Sequence, residues 1–344
     1  MSLLKTRTNL YALCALVLAL AVVLVGCADQ QASSTSPAAS SEVAASGQTG
    51  VSPDELRIVS MKGPTSVGLA SMMQKEQGQF TVVASADEVT PLLLQDKADI
   101  ACVPANVAAL LYQKTEGALR VIDVNTLGVL YVVTGDTSVD SLDKLVGRSV
   151  SMTGKGTVPE YTLRTLLSAG GLSLDEVDVQ FKSEPAEVAA LISADDQAIG
   201  ILPQPYATAV CAKSPALNMS VDLTAEWNRL MGADAGLFVT GVTVAKASTI
   251  SENPEAVNSF LERHAASAGV SVSDPASVTQ TIVDLGIIES APLAEKSLPL
   301  CNAVCLTGDE MKDALSGYLA TLFAQDPASV GGALPDDDFY YLGQ

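Results

Sequence analysis

Ser60-Met61-Lys62-Gly63-Pro64-Thr65-Ser66 has a second copy later in the chain, Ser151-Met152-Thr153-Gly154-Lys155-Gly156-Thr157. In each copy an apolar run ends in Ser-Met, a turn with glycine and lysine follows, and a hydroxyl residue suited to capping a helix comes last. A strand that leads into the N-terminus of a helix offers backbone N–H groups and a positive dipole to an anion or polar ligand. Two such junctions predict two lobes that face each other across a cleft.

The two halves of the chain match each other beyond these junctions. With a shift of 99 residues, Glu88, Val89, Leu92, Leu93, Ile100 and Pro104 fall on Glu187, Val188, Leu191, Ile192, Ile199 and Pro203. For the opening turn the shift is 91 or 92 residues, a difference that loop length can absorb. In both halves short strands alternate with helices, which is typical of a sheet covered by helices. We therefore predict an α/β fold of two lobes, each with a mostly parallel sheet flanked by helices, and a ligand cleft between the lobes.

The N-terminus reads as a secretion signal. Lys5 and Arg7 precede an apolar run that ends at Leu24-Val25-Gly26-Cys27, so residues 1–27 are predicted to be a signal peptide. The ending resembles the bacterial lipobox, which implies lipidation of Cys27. A plain transmembrane anchor is the weaker alternative because the run is short. Residues 28–54, rich in Ser, Ala and Gln, are predicted to tether the body to the extracytoplasmic face of the cell membrane.

Composition narrows the class of partner. The 344 residues are 48% hydrophobic and 17% charged, which indicates a globular body large enough for two domains. The formal net charge of −20 argues against a nucleic-acid partner, which requires Lys/Arg patches. No cofactor is predicted.

The few histidine and cysteine residues of the chain do not predict a metal site. His264 is the one histidine, and with Val257, Phe260 and Leu261 it follows the apolar stripe of a helix, so it is interpreted as a core residue. Cys301 and Cys305 could form a local disulfide or remain two free thiols. A metal site at this pair would need two further ligands, which no nearby pair supplies.

The order of predicted elements suggests lobe boundaries. The first lobe is predicted over residues 55–147 and 236–325, the second over residues 148–235, and a polar C-terminal tail over residues 326–344. The β-rich run 121–133, interrupted at Leu127-Gly128, is a candidate crossing strand between the lobes, and residues 237–244 could return the chain to the first lobe. Asn106 and Thr157 are predicted helix caps, Thr157 in a capping box with Glu160.

Three features together resemble a known family: the lipobox with its tether, the run from Ala98 to Pro104, and the run Gly200-Ile201-Leu202-Pro203-Gln204-Pro205-Tyr206-Ala207-Thr208. The chain resembles type II periplasmic-type solute-binding lipoproteins of ABC transporters, in the class for nitrate, sulfonate, taurine and thiamine precursors. The resemblance covers residues 55–325. It implies a monomer that captures a small solute, an anion such as a sulfonate or nitrate or a pyrimidine-type heterocycle, and delivers it to a permease.

That family places its ligand between the lobes, at strand ends and helix N-termini. Transferred to matching positions, the resemblance implies ligand contacts from Gly63, Pro64, Thr65, Ser66, Ala105, Asn106, Leu127, Gly128, Thr153, Gly154, Lys155, Gly156, Thr157, Gln204 and Tyr206. Each has a simpler alternative: the hydroxyl and amide side chains could be only helix caps, Lys155 a solvated loop lysine, and Tyr206 a packed side chain.

Two other functions remain as alternatives. A lipoprotein that senses a ligand without transport fits the same features. An enzyme on this fold is disfavoured, because synthase-like relatives use a cysteine-rich run with histidine partners. The run from Cys301 to Cys305 lacks those partners.

Overall fold

The computed structural model describes residues 51–232 and 235–343, which build two β-sheets flanked by helices. The strands are β1 (Arg57–Met61), β2 (Gln79–Val83), β3 (Ile100–Pro104), β4 (Leu119–Leu127), β5 (Leu130–Thr134), β6 (Ser149–Met152), β7 (Asp178–Phe181), β8 (Ile199–Pro203), β9 (Asn218–Asp222), β10 (Val239–Lys246) and β11 (Ala303–Leu306). The predicted signal peptide, the lipidation of Cys27 and nearly all of the predicted tether lie outside the described residues.

Helices separate most of these strands, as the alternating pattern predicts. They are α1 (Pro64–Val67), α2 (Ala70–Gln74), α3 (Ala86–Leu94), α4 (Ala105–Lys114), α5 (Val158–Ala169), α6 (Pro185–Ala194), α7 (Tyr206–Lys213), α8 (Leu223–Leu230), α9 (Ala247–Glu252), α10 (Pro254–Ser273), α11 (Thr279–Asp284), α12 (Ala291–Ser297) and α13 (Gly308–Gln325). Within the described part of the chain, no helix combines the length and apolar character needed to cross a membrane.

The second sheet repeats the order of five strands of the first, with β7, β6, β8, β5 and β9 in the places of β2, β1, β3, β10 and β4. The first sheet runs β11-β4-β10-β3-β1-β2 and the second runs β7-β6-β8-β5-β9. In the first sheet Ile58 of β1 pairs with Ile100 of β3, and in the second sheet Val150 of β6 pairs with Ile199 of β8. These pairs are related by the sequence shifts of 92 and 99 residues, so the internal duplication extends to strand register.

The two-sheet α/β fold is therefore confirmed, with one difference in detail: each sheet is mixed. Parallel pairing joins β1 with β2 and β3, and β6 with β7 and β8. The strands β10 and β5 pair antiparallel with both of their neighbours. Each of these two strands is the first of its sheet after the chain has crossed from the other side: β5 follows β4, and β10 follows β9 and α8.

The first crossing between the sheets lies earlier than the predicted lobe boundary. Strand β4 ends at Leu127 in the first sheet, and β5 begins at Leu130 in the second. The predicted break at Leu127-Gly128 therefore marks the crossing itself, whereas the assignment of residues 130–147 to the first lobe was wrong for β5. The reason is that β5 pairs with Ile201 and Val221 in the interior of the second sheet.

The C-terminal segment is packed onto the first sheet rather than extended as a polar tail. Phe339 is fully buried and meets the ring of Tyr112 edge to face, with ring centroids 5.1 Å apart. Tyr340 forms a β-bridge with Val121 of β4. The prediction of a polar tail rested on the acidic run 336–338 and did not consider the aromatic residues that follow it. Burial of each such ring stabilises the segment by about 2 kcal/mol.

An aromatic cluster joins the return path of the chain to helix α13. The indole of Trp227 lies 5.8 Å from the ring of Phe238 and 5.2 Å from the ring of Tyr318, measured between centroids. Its Nε1–H donates to the carbonyl of Gly236 at 3.1 Å. All three rings are fully buried, so this cluster anchors the segment that carries the chain from α8 back to β10.

Cys301 and Cys305 are free thiols in this fold, which resolves the alternative left by their spacing. The Sγ atom of Cys301 faces the carbonyl of Ser297 at 3.4 Å, and that of Cys305 faces the carbonyl of Leu261 at 3.7 Å. Burial raises the pKa of both thiols above the ordinary value.

Candidate functional site

A cavity of about 460 Å³ lies where strand ends of the two sheets meet. It is lined from the first sheet and its junctions by Met61, Lys62, Pro64, Thr65, Ala84, Ser85, Ala86, Asp87, Pro104 and Thr240, and from the second by Leu130, Thr153, Gly154, Lys155, Thr157, Val158, Pro159, Lys182, Ser183, Pro185 and Pro203. We call this cavity the cleft. Ligands of open α/β sheets bind at this kind of position, outside the carboxyl ends of the strands.

The first copy of the repeated stretch forms one wall of the cleft. Strand β1 ends at Met61, and Gly63 turns the chain with a φ of +134°, a value that only glycine adopts without strain. Helix α1 begins at Pro64, so Thr65 lies inside the helix rather than at its cap. The hydroxyl of Thr65 has no hydrogen-bond partner, although the residue is only 4% exposed. A buried hydroxyl without a partner at a cavity wall is suited to binding a ligand.

The second copy forms the opposite wall with a different hydrogen-bond pattern. The hydroxyl of Thr157 donates to the carbonyl of Gly154 at 2.9 Å, and the carboxylate of Glu160 accepts from the amide of Gly156 at 2.7 Å. Thr157 occupies the N-cap position of α5, as predicted, but its side chain makes no capping hydrogen bond. The predicted capping box was therefore wrong, because both side chains turn back to the glycine loop.

Besides α1, three helix N-termini border the cleft. Helices α3, α5 and α6 begin at Ala86, Val158 and Pro185, and the side chains at their N-cap positions make no capping hydrogen bond. Backbone N–H groups at the start of a helix carry a partial positive charge that favours a bound anion. Their convergence at one cavity contributes positive potential to the cleft.

Lysine side chains add to this potential. Lys62, Lys155 and Lys182 line the cleft, and among the described residues none of the three has an ion pair within 4 Å. Lys155 lies over the ring of Phe181, with Nζ 5.9 Å from the ring centroid. Asp87 is the one acidic residue of the lining. In a chain of formal net charge −20, this cluster of cations is a local reversal of sign.

Six of the residues implied by the resemblance line the cleft: Pro64, Thr65, Thr153, Gly154, Lys155 and Thr157. The remaining nine are Gly63, Ser66, Ala105, Asn106, Leu127, Gly128, Gly156, Gln204 and Tyr206, and they are not part of the lining. Gly63 and Gly156 belong to the two turns themselves. Ala105 is fully buried at the start of α4.

Several of the nine have structural contacts instead. The hydroxyl of Ser66 donates to the carbonyl of Met61 at 2.5 Å. Gln204 is fully buried, and its side-chain oxygen accepts from the amide of Thr208 at 3.3 Å. Tyr206 is partly buried at the start of α7, where desolvation, followed by the charge of Glu184, raises its pKa.

Leu127 and Gly128 lie where the chain crosses from the first sheet to the second, and close packing holds them in place. A Cβ atom at Gly128 would collide with Thr224 and Phe238, so only glycine fits there. The carbonyl of Gly128 accepts from the amide side chain of Asn302 at 2.5 Å, and the backbone amide of Leu127 donates to the Asn302 carbonyl at 3.1 Å. These contacts fasten the crossing to the segment that precedes β11.

Asn106 was predicted to cap a helix, and this was wrong. Helix α4 begins at Ala105 with Pro104 at the N-cap position, so Asn106 lies inside its first turn. Its side-chain amide donates to the carbonyl of Gly156 at 3.2 Å and to that of Ser329 at 3.1 Å. Asn106 thus joins the first-sheet side to the glycine turn of the second.

Sequence reasoning missed several lining residues that a known rule could have found. Ser85 follows β2, and Lys182 and Ser183 follow β7, so each sits at the carboxyl end of a parallel strand. Applying the strand-end rule to every strand, rather than to the repeated stretch alone, would have included them. Thr240 reaches the cleft from β10, a strand that the sequence assigned to no ligand contact. Its hydroxyl also has no hydrogen-bond partner.

A separate cavity of about 500 Å³ lies elsewhere on the first-sheet side. It is lined by Asn258, Leu261, Glu262, Ala265, Cys305, Thr307, Gly308, Tyr341, Leu342 and Gly343, and shares no lining residue with the cleft. It is slightly larger, but its lining contains no lysine and none of the buried side chains that lack a hydrogen-bond partner. We therefore take the cleft as the candidate solute site.

Comparison with known proteins agrees with the fold. The model of a family described as NMT1/THI5 like matches residues 79–278. No curated protein matches the sequence.

Solved structures with the same architecture are numerous. An ABC transporter structure from Parabacteroides distasonis is similar at 23% identity and a TM-score of 0.70, over 85% of this chain and 100% of that one. The aliphatic sulphonate binding protein SsuA from Escherichia coli is similar at 15% identity and a TM-score of 0.65, over 85% and 94%. The alkanesulfonate-binding protein SsuA from Xanthomonas axonopodis pv. citri, bound to MOPS, is similar at 16% identity and a TM-score of 0.61, over 83% and 96%. At these identities the likeness concerns the fold.

Proposed function

Because the chain belongs to the NMT1/THI5-like family, we propose that it binds a small anionic solute in the cleft between its two sheets. The observation that carries the proposal is the grouping of Lys62, Lys155 and Lys182 around one cavity, whose wall also holds the buried, unpartnered hydroxyl of Thr65. The hydroxyl supplies a hydrogen bond, and the lysines supply opposite charge. These groups bind the solute and need no covalent step.

The chemistry of the lining narrows the class of anion. Arginine is absent from the lining residues, so the cleft lacks the planar fork that binds a carboxylate or phosphate in bidentate fashion. Lysine ammonium groups, backbone N–H groups and hydroxyls suit a compact anion of low charge, such as a sulfonate or nitrate. Apolar lining from Leu130, Val158 and the prolines could hold the organic part of a sulfonate.

We propose that this binding serves import. Solved structures that share the fold are described as an ABC transporter and as sulfonate-binding proteins. The predicted lipobox and tether would hold the body at the extracytoplasmic face of the membrane, beside a permease. In this proposal the protein is a monomeric substrate-binding lipoprotein that closes on its solute and delivers it.

The experiment is a binding screen by isothermal titration calorimetry. The panel contains ethanesulfonate, taurine and nitrate as anions, and a neutral aminopyrimidine as the alternative solute. We expect at least one anion to bind and its affinity to fall as NaCl is raised, because salt screens the lysine charges. Binding of the aminopyrimidine alone, with no salt dependence, would contradict the anion proposal. Binding of none of the four would contradict both.

Transport and sensing are separated by a cellular measurement. In cells that lack the protein, uptake of the radiolabelled solute should fall and be restored by the wild-type gene. Uptake that is unchanged, together with altered gene expression in response to the solute, would favour the alternative of a sensing lipoprotein.

A further inference from the structure

We infer that Asp123, His264 and Cys305 form a buried site for a divalent transition-metal ion of the zinc type, separate from the solute cleft. Each residue offers one ligand atom, and these atoms all lie within 4.8 Å of one another. Three different elements supply them: β4, α10 and β11. Carboxylate, imidazole and thiolate form a donor set that suits Zn²⁺.

The distances are close to those that a metal requires. Nδ1 of His264 lies 3.1 Å from Oδ2 of Asp123. Zinc bonds of about 2.0–2.3 Å in a tetrahedral site place neighbouring ligand atoms roughly 3.3–3.8 Å apart. The observed separations, from 3.1 Å to at most 4.8 Å, bracket this range. Small side-chain rotations are therefore sufficient to close the site on an ion.

Supporting hydrogen bonds orient the carboxylate. The hydroxyl of Thr243 donates to Oδ1 of Asp123 at 2.8 Å, and the side-chain amide of Asn125 donates to the Thr243 hydroxyl at 3.1 Å. This relay occupies one carboxylate oxygen and leaves the other directed at the imidazole. Metal-binding carboxylates are commonly held by such outer hydrogen bonds.

Charge balance also favours an ion. Asp123 and His264 are fully buried, and among the described residues His264 is the one basic side chain that pairs with Asp123. Burying a carboxylate is costly unless an opposite charge accompanies it. A divalent ion bound by one carboxylate, one thiolate and a neutral imidazole gives a site of zero net charge.

The three residues border a second cavity, which is separate from the cleft, through Cys305. Cys305 lines the separate cavity of about 500 Å³ beside α10 and the C-terminal segment. A metal ion could enter from this side, and water from the same cavity could complete the fourth position.

Binding would strengthen a weakly attached strand. Strand β11 lies at the edge of the first sheet and pairs with β4 at only two positions, Ala303 with Thr126 and Leu306 with Val124. An ion held by β4, α10 and β11 would fasten this edge to the sheet interior. The sequence interpretation of His264 as a core residue describes its packing correctly but misses this group of neighbours.

The test uses the full-length chain after treatment with a chelator, with Co²⁺ as an optical probe and Zn²⁺ as competitor. We expect one equivalent of Co²⁺ to bind with a thiolate-to-cobalt charge-transfer band, and Zn²⁺ to displace it and raise the Tm. Cys305→Ser should lose the band and bind Co²⁺ at least about tenfold more weakly. The control Cys211→Ser removes a thiol outside the cluster and should retain both properties.

A second measurement on the wild type keeps the test independent of how Cys305→Ser folds. X-ray absorption of the zinc-loaded chain should show one sulfur ligand at about 2.3 Å and two or three nitrogen or oxygen ligands. Failure of the wild type to bind one equivalent, a charge-transfer band retained in Cys305→Ser, or a zinc shell without sulfur would each overturn the inference. Anion binding in the cleft should persist in all of these variants, so failure here leaves the proposed function untouched.

Discussion

The side-chain amide of Asn106 donates to the backbone carbonyl of Gly156 at 3.2 Å, which ties the first turn of α4 to the glycine turn that precedes α5. Its second bond, to the carbonyl of Ser329 at 3.1 Å, extends the link to the C-terminal segment. Asn106 is fully buried, and its bond to Ser329 is buried, whereas its bond to the exposed Gly156 is partly buried. One side chain thus couples three parts of the chain around the cleft.

We predict that Asn106→Ala lowers the free energy of unfolding by about 2 kcal/mol, because one buried and one partly buried carbonyl lose their donor. It should also loosen the contact between the two walls of the cleft. Urea denaturation would measure the stability, and small-angle X-ray scattering would measure the spread of the two sheets. Asn218→Ala is the control, since Asn218 is exposed and donates a single bond to Thr134. Equal losses for the two variants would contradict the coupling role.

Thr65→Val should weaken solute binding without weakening the fold. The hydroxyl of Thr65 has no protein partner, so an isosteric valine should change the unfolding free energy by less than about 0.5 kcal/mol. Affinity for the tightest-binding anion of the panel should fall about tenfold, as expected for one lost hydrogen bond.

The matched control for Thr65 is Thr157→Val. It removes the bond from the Thr157 hydroxyl to the Gly154 carbonyl and should cost about 1 kcal/mol of stability. Calorimetry and thermal denaturation of both variants provide the comparison. An unchanged affinity in Thr65→Val would show that the solute does not use this hydroxyl.

The three cleft lysines should contribute separately to anion affinity. Each of Lys62→Gln, Lys155→Gln and Lys182→Gln should weaken binding by roughly threefold to tenfold, because a partly solvated charge a few ångströms from an anion contributes about 1 kcal/mol. The slope of affinity against salt should decrease with each charge removed. Lys75→Gln, at an exposed position beyond α2 and away from the cleft, should bind as the wild type does. Wild-type salt dependence in the triple variant would argue against an electrostatic cleft.

Asp99 should make stability depend on pH. Burial opposes ionisation of its carboxyl, but the side-chain and backbone hydrogen bonds from Arg57 more than offset this, so its pKa lies below the ordinary value. The guanidinium donates from Nε to Oδ2 at 2.9 Å and from a terminal nitrogen to Oδ1 at 2.5 Å. Because the folded-state pKa is depressed, the stabilisation is present above the unfolded pKa of about 3.9 and is lost as pH falls through the folded value.

Asp99→Asn should therefore cost about 1 kcal/mol near pH 7, a figure that allows for the solvent exposure of Arg57, and progressively less below about pH 4. Urea denaturation of wild type and variant at several pH values between 7 and 3 would measure the difference. Asp313→Asn, at an exposed carboxylate, should show a small difference at every pH. A cost that grows toward low pH would contradict the assigned direction.

Much of the architecture could be predicted from the sequence, because the patterns that indicate it lie within short stretches of the chain. The repeated Ser-Met turn, the alternation of apolar runs and the shifts of 92 and 99 residues predicted two related α/β units. The paired positions Ile58–Ile100 and Val150–Ile199 confirm that relation in strand register. Pro64, Thr65, Gly154 and Lys155 line one cavity, and all four sit at strand-to-helix junctions.

The sequence by itself thus determined the family, the alternation of strands and helices and the two turns, since each depends on residues within a few positions of one another. Only the tertiary structure decided which sheet receives β5, that Thr240 reaches the cleft, and that Asn106 bonds to Gly156 rather than caps a helix. The tertiary structure also brought Asp123, His264 and Cys305 together, although the first two lie 141 positions apart in the sequence. Such contacts are set by how whole elements pack, and packing of distant segments leaves no periodic signal in the chain.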